Sequence, residues 1–257
     1  MGFIYNGMLS QSMKMRARLT ASQVSHALRN FSETVPGKAG IANFACDISE
    51  RNIIVNCSVL PQASFDDVVS VLDNAAEQLN PANGLKQLIL GDVPDRYFMA
   101  RLSESVDCER PLRTAADFDL RFVYPDLHAY AIEDEIFVVT GTGTHAAERL
   151  AGNGDSEPVH LLKGVISASS SSHIFRITNG EELRIVGSLS RGETLVIDSG
   201  MGSAKVTDVA GNILRNGLPC LREFNFPILR KDVNNIEINA VNAAFTELKI
   251  QVKSRWK

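Results

Sequence analysis

Apolar and polar residues alternate along much of this chain with a period of two, the pattern of strands that bury one face. Ile53, Val55, Cys57 and Val59 form one such series, and Phe118, Leu120, Phe122 and Tyr124 another. Leu195 and Ile197 share a face within Thr194 to Asp198, and Ile236, Ile238 and Ala240 do so against Asn235, Glu237 and Asn239. Near the end, Leu248, Ile250 and Val252 oppose Glu247, Lys249, Gln251 and Lys253. One segment keeps a different period. From Ser64 to Asn80, Val68, Val69, Leu72, Ala76 and Leu79 recur at helical spacing. Ser64 with Asp67 three residues on has the form of a capping box, and Pro81 with Asn83-Gly84 closes the helix. Lys86 to Leu90 and Tyr97 to Leu102, either side of a turn at Gly91 to Asp95, predict a hairpin.

These elements divide the chain unevenly. Residues 1–129 mix strands with the one helix, whereas 130–257 read as strand and turn throughout, so a domain boundary is expected near Tyr130. In the second part, strands are expected near 136–140, 159–166, 173–178, 182–187, 194–198, 204–209, 235–240 and 246–253. Gly200, Gly202, Gly211-Asn212 and Asn216-Gly217 mark turns between them. Short strands at this spacing argue for a sandwich or jelly-roll-like fold. Ser167 to Ser172 is a polar loop too short to separate domains, and no repeat of 20 to 50 residues is present. The expected fold class is mainly β with one α-helix: an N-terminal β domain carrying the helix and hairpin, then a β-sandwich.

Composition narrows the function classes. A chain of 257 residues with 44% hydrophobic content is globular and long enough for two cores. Lys and Arg number 26 against 30 Asp and Glu, a net charge of −4, and the charges are scattered. That balance argues against broad electrostatic capture of nucleic acid or anionic lipid, though not against DNA moving through a neutral or acidic passage. Apolar runs such as Ile136 to Val139 are too short to span a bilayer, and the N-terminus lacks an apolar h-region, so folding in a cytoplasm is expected. Cys46, Cys57, Cys108 and Cys220 show no CxxC spacing and are expected as buried thiols.

Each candidate for chemistry has a plainer reading. IFVVT followed by Gly141-x-Gly143-x-x-Ala146 resembles a dinucleotide turn, but the helix it needs would span only about His145 to Ala151 before Gly152-Asn153-Gly154. His26, His128, His145, His160 and His173 are dispersed without ligand spacing. Asp66-Asp67 suit a helix N-terminus, and Glu133 to Glu135 and Glu181-Glu182 fall beside strand ends, although a glycosidase pair could use any such carboxylates. Ser188 and Ser190, between Gly187 and Gly192, do not form a GxSxG elbow. Sugar binding needs exposed aromatic platforms. Tyr5, Tyr97, Tyr124 and Tyr130 all precede the second domain's strands, which leaves Trp256 with Phe137, Phe175, Phe224, Phe226 and Phe245. The sequence therefore predicts no catalytic residue, no metal site and no cofactor, and no enzyme.

The order of signals resembles a family, the distal tail (Dit) proteins that form the tail-tip hub of long, non-contractile-tailed bacteriophages. The resemblance runs through FIYNG at Phe3 to Gly7, VPGKAG at Val35 to Gly40, the apolar helix before GLKQLIL, PDRYFMARL and DFDLRFVYPDLHAY. It continues through GNGDSEPVHLLKG, ITNGEELRIVGSLSRGETLVIDS, FPIL, NNIEINA and the basic terminus with Trp256. It implies a structural virion protein with a ring-forming N-terminal domain, 1–129, and a galectin-like or carbohydrate-module-like C-terminal sandwich, 130–257. The implied assembly is a ring, typically a hexamer, around a channel that passes DNA without specific binding. Implied partners are further copies of the chain, the tail tube protein, the tail-associated hub or lysin protein and receptor-binding or other baseplate proteins, with no membrane. The implied location is the distal tip of the virion tail, after assembly in the host cytoplasm. This chain lacks the long insertion of larger members, which in those members grips receptor-binding proteins or binds saccharide. The alternative reading is a carbohydrate-binding sandwich that acts in adsorption. For the ring, the expectation is that the hairpin at Asp92 to Asp95 and neighbouring strand edges join adjacent subunits.

Overall fold

A computed structural model describes residues 2–22, 28–112, 114–164 and 174–257. His26, His173, the Ser167 to Ser172 loop and residues 165, 166 and 173 at the ends of two expected strands lie outside the described residues. The chain divides into two compact units, Met1–Ala129 and Tyr130–Lys257.

In the first unit, antiparallel strands lie side by side in the order Met8–Leu9, Phe3–Tyr5, Lys86–Leu90, Val93–Leu102, Ala115–Tyr124, Arg51–Val59 and Met15–Ser22. The two strongest alternating patterns are direct neighbours: Phe118 lies opposite Cys57, Leu120 opposite Val55 and Phe122 opposite Ile53. Their apolar sides therefore point to one face and enter one core with Phe3 and Tyr5. The Phe122 ring packs 5.8 Å from Phe3 and 5.4 Å from Tyr5. Each fully buried side chain of this size contributes about 1.5–3 kcal/mol, so this cluster is a main source of the unit's stability.

The helix spans Phe65–Gln78 and carries the expected cap. Asp67 N–H donates to Ser64 Oγ at 3.2 Å, and Ser64 N–H donates to Asp67 Oδ2 at 3.1 Å. Its buried face is Val68, Val71 and Ala75, continued by Leu79, while Leu72 is half-buried and Ala76 exposed. The expected stripe is thus turned by one position. At about 100° per residue, Val71, Ala75 and Leu79 stay near the direction of Val68, and Ala76 swings away from it. The hairpin turn is also tighter than expected. Only Gly91 and Asp92 form it, Leu90 lies opposite Val93, and Val93, Pro94 and Asp95 already belong to the second strand.

The second unit has two antiparallel sheets. One runs Ile136–Val139, Glu247–Gln251, Val159–Lys163, Thr194–Asp198, Ser203–Thr207 and Ile213–Asn216. The other runs Gly143–Arg149, Asp232–Val241, Ile174–Asn179 and Glu181–Ile185. Leu162, Leu195, Ile197, Val206 and Ile250 from the first sheet meet Phe175, Ile177, Leu183, Ile236 and Ile238 from the second in one core, which makes the unit a sandwich. Two of these strands, Gly143–Arg149 and Ile213–Asn216, carry too little apolar alternation to be foreseen. The strand expected to end at Gly187 stops at Ile185, because Val186 and Gly187 both donate to the Cys220 carbonyl, at 2.8 and 3.1 Å.

Candidate interaction surfaces

The glycine-rich turn after Val139 opens a strand. Gly143–Arg149 pairs antiparallel with Asp232–Val241, with Gly143 opposite Ile238, so no helix N-terminus is available there for a phosphate. His145 Nε2 donates to the Gly141 carbonyl at 2.9 Å. Among the described residues, no group of three or more His, Cys, Asp or Glu is placed to hold a metal ion, and no helix is long and apolar enough to cross a membrane.

The acidic clusters hold loops in place. Asp134 accepts the N–H groups of Lys253 at 2.6 Å and Ser254 at 2.9 Å. Glu135 accepts from Leu150 N–H at 2.8 Å, Ala151 N–H at 3.3 Å and the Ser254 hydroxyl at 3.1 Å. These carboxylates stand in for strand partners where the chain end meets the Leu150–Gly154 loop, so they are structural rather than simply solvated. Glu182 pairs with Arg184, and Asp66 and Asp67 occupy the first helical turn. Ser190 N–H donates to Glu193 at 2.8 Å, and the Ser188 carbonyl accepts from Arg215 at 3.2 Å. Backbone groups of both serines thus brace the loop.

The cysteines are free thiols, and their burial varies. Cys57 and Cys220 are buried, and burial together with the nearby Asp119 charge pushes the Cys57 thiol up to about 12. Cys108 is half-buried, whereas Cys46 is exposed, contrary to the expectation of four buried thiols. Among the aromatics, Phe175 is buried against Phe245, with rings 4.9 Å apart. Trp256 is half-buried and Phe224 is exposed. One isolated ring is a poor platform for a sugar.

Cys46 is exposed because of the strand that carries it. Leu28–Glu33 and Ala42–Ile48 form a two-stranded sheet of their own, with Leu28 opposite Ile48, Arg29 opposite Asp47 and Phe31 opposite Ala45. Leu28 is 61% exposed, Phe44 69% and Ile48 58%, and Phe31, Val35 and Ile41 are exposed as well. At about 3.3 Å per residue, this arm reaches roughly 20 Å along its strands. Alternation put no strand here in the sequence, since the bulge between Phe31 and Ser32 interrupts the period.

The N-terminal unit also holds an open cavity of about 780 Å³ beside the helix. Leu72, Ala76, Leu79, Val106, Phe118 and Leu120 contribute to its apolar lining, and Glu50, Asp73, Arg101 and Glu104 contribute charge. By contrast, the hairpin that was expected to supply a free edge has Lys86–Leu90 paired on both sides, with Phe3–Tyr5 and Val93–Leu102. Its tip is exposed, with Asp92, Pro94 and Asp95 reaching solvent.

The fold is that of a two-unit, mainly β protein whose polar clusters brace its own loops and whose uncommitted features are apolar surfaces. No protein-family model matches the chain, and no curated protein matches it by sequence. Among solved structures it is similar to the Dit protein of phage SPP1, described as a paradigm of the hub adsorption apparatus in phages that infect Gram-positive bacteria. The TM-score is 0.72 at 15% identity, over 100% of this chain and 99% of that one. It is also similar to a chain of the phage P2 baseplate in its activated conformation with Ca, with a TM-score of 0.52 at 10% identity, over 99% and 97% of the two chains. The chain has the Dit fold along its whole length.

Proposed function

We propose that this protein is the distal tail hub of a bacteriophage, a structural component of the virion that assembles into a ring, with six copies as the expected number. In this reading the N-terminal unit forms the ring and the C-terminal sandwich is a galectin-like domain that faces outward. One side of the ring meets the tail tube, the other meets the tail-associated hub protein and further baseplate proteins, and DNA leaves through the centre. The observation that carries the reading is the match to SPP1 Dit over both units in the same order, 100% of one chain on 99% of the other. A net charge of −4 suits a channel that must not retain DNA, because fewer basic contacts release fewer counterions. Assembly occurs in the host cytoplasm and the final location is the tail tip.

Size-exclusion chromatography with light scattering and negative-stain imaging of the purified chain tests this. Rings with a central hole are expected. A protein that stays monomeric at high concentration, both alone and with its tail tube protein, overturns it. Glycan-array binding that is lost in Trp256→Ala would favour the carbohydrate-binding alternative instead.

A further inference from the structure

We infer that the uncharged face of the arm Leu28–Ile48 docks into the helix-side cavity of a second copy of this chain, an inference that rests on the ring reading above. A two-stranded ribbon is marginally stable in water unless a third element covers it. Here none of the described residues supplies a cover, since all the large apolar residues of the arm are exposed. The strand alternation sorts the arm into two unlike faces. Leu28 with Ile48 and Asn30 with Cys46 share one, which carries no charge, while Arg29 with Asp47 and Phe31 with Ala45 lie on the other, and Phe44 falls at the bulge. The first face can lose its water without stranding an ion, and the second can stay wet.

The cavity is the matching feature. Its lining is mostly apolar, with Glu50, Asp73, Arg101 and Glu104 as its charged residues, and its volume of about 780 Å³ is left unfilled by the chain's own side chains. Both features belong to the N-terminal unit, so every copy carries one arm and one cavity. Joining one patch to a different patch makes a heterologous contact, which repeats from copy to copy and closes into a ring when the rotation allows. The arm offers roughly 20 residues, near the number on one side of a standard protein interface.

Cys46 and Ala76 give the test. Ala76 borders the cavity and Cys46 lies on the docking face. In protein carrying Ala76→Cys and Cys108→Ser, mild oxidation is expected to give a ladder of disulfide-linked species on a non-reducing gel. The ladder is expected to vanish when Cys46→Ser is added. Separately, Ile48→Asp is expected to weaken self-assembly at least tenfold while the circular dichroism and melting of the monomer stay unchanged. Rings that form without the ladder, and an Ile48→Asp protein that assembles like wild type, overturn the docking but leave the ring reading standing. A wild-type chain that never self-associates overturns both.

Discussion

Arg149 Nη1 donates to the carbonyl of Leu229, 80 residues away, at 2.9 Å, and the same nitrogen donates to the Gly154 carbonyl at 3.0 Å. The side chain is buried, and desolvation lowers the pKa of its guanidinium from the ordinary value. One cation thus ties the loop after Gly143–Arg149 to the segment before Asp232–Val241. Glu135 and Asp155 lie close enough to favour its charge.

Removing this group takes a donor from the carbonyls of Gly154, Ala151 and Leu229, of which Leu229 keeps the Ser156 N–H. Arg149→Met is expected to destabilise the C-terminal unit by about 3 kcal/mol. Arg149→Lys is expected to recover only part, since an ammonium can serve the Leu229 and Gly154 carbonyls but lacks the second nitrogen that reaches the Ala151 carbonyl. Urea denaturation of the three proteins checks the order.

Gly152 lies in the loop held by this arginine. Its φ is +84°, and a Cβ there would come within 2.6 Å of the Arg255 carbonyl oxygen. The backbone conformation and the clash act together, so Gly152→Ala is expected to cost about 2 kcal/mol. The thermal midpoint reports the loss, and an unchanged midpoint would contradict the close approach.

His160 is 1% exposed, and its neighbours across the sheet are Ile197 and Ile250. Burial lowers its pKa from 6.5 to about 4. Between those values the unfolded chain binds a proton that the folded chain refuses. Stability from this residue is therefore complete above pH 6.5, falls as pH drops toward 4, and levels off below that. The total is about 3 kcal/mol at most. His160→Leu is expected to flatten the slope, as read by denaturation midpoints of both proteins from pH 4 to 7.5.

The helix of the N-terminal unit starts on a reciprocal pair of hydrogen bonds between Ser64 and Asp67. Ser64→Ala removes the acceptor for Asp67 N–H and is expected to cost about 1 kcal/mol. Ser64→Asp is expected to restore most of it, because a carboxylate can cap the same position and also suits the positive end of the helix. Guanidinium denaturation followed by circular dichroism separates these outcomes.

Much of the scaffold was legible in the sequence because its causes are local. A period of two placed Ile53, Val55, Cys57 and Val59 on one side of a strand, and the covalent geometry of extended chain leaves no other choice. The capping pair Ser64 and Asp67 lies within one turn, so it too could be read directly. What tertiary structure decided were relations between distant segments. Gly143–Arg149 became a strand because Asp232–Val241 offered it a ladder, and Ala76 lost its place to Val71 and Ala75 because the sheet chose the angle at which the helix packs. Asp134 and Glu135, which the sequence places only beside a strand end, found backbone N–H groups more than 100 residues away at Lys253 and Ser254 or close by at Leu150 and Ala151. The exposed arm and the apolar cavity belong to this second kind. Neither leaves a local pattern, since a surface without a partner is defined by what the rest of the chain fails to cover.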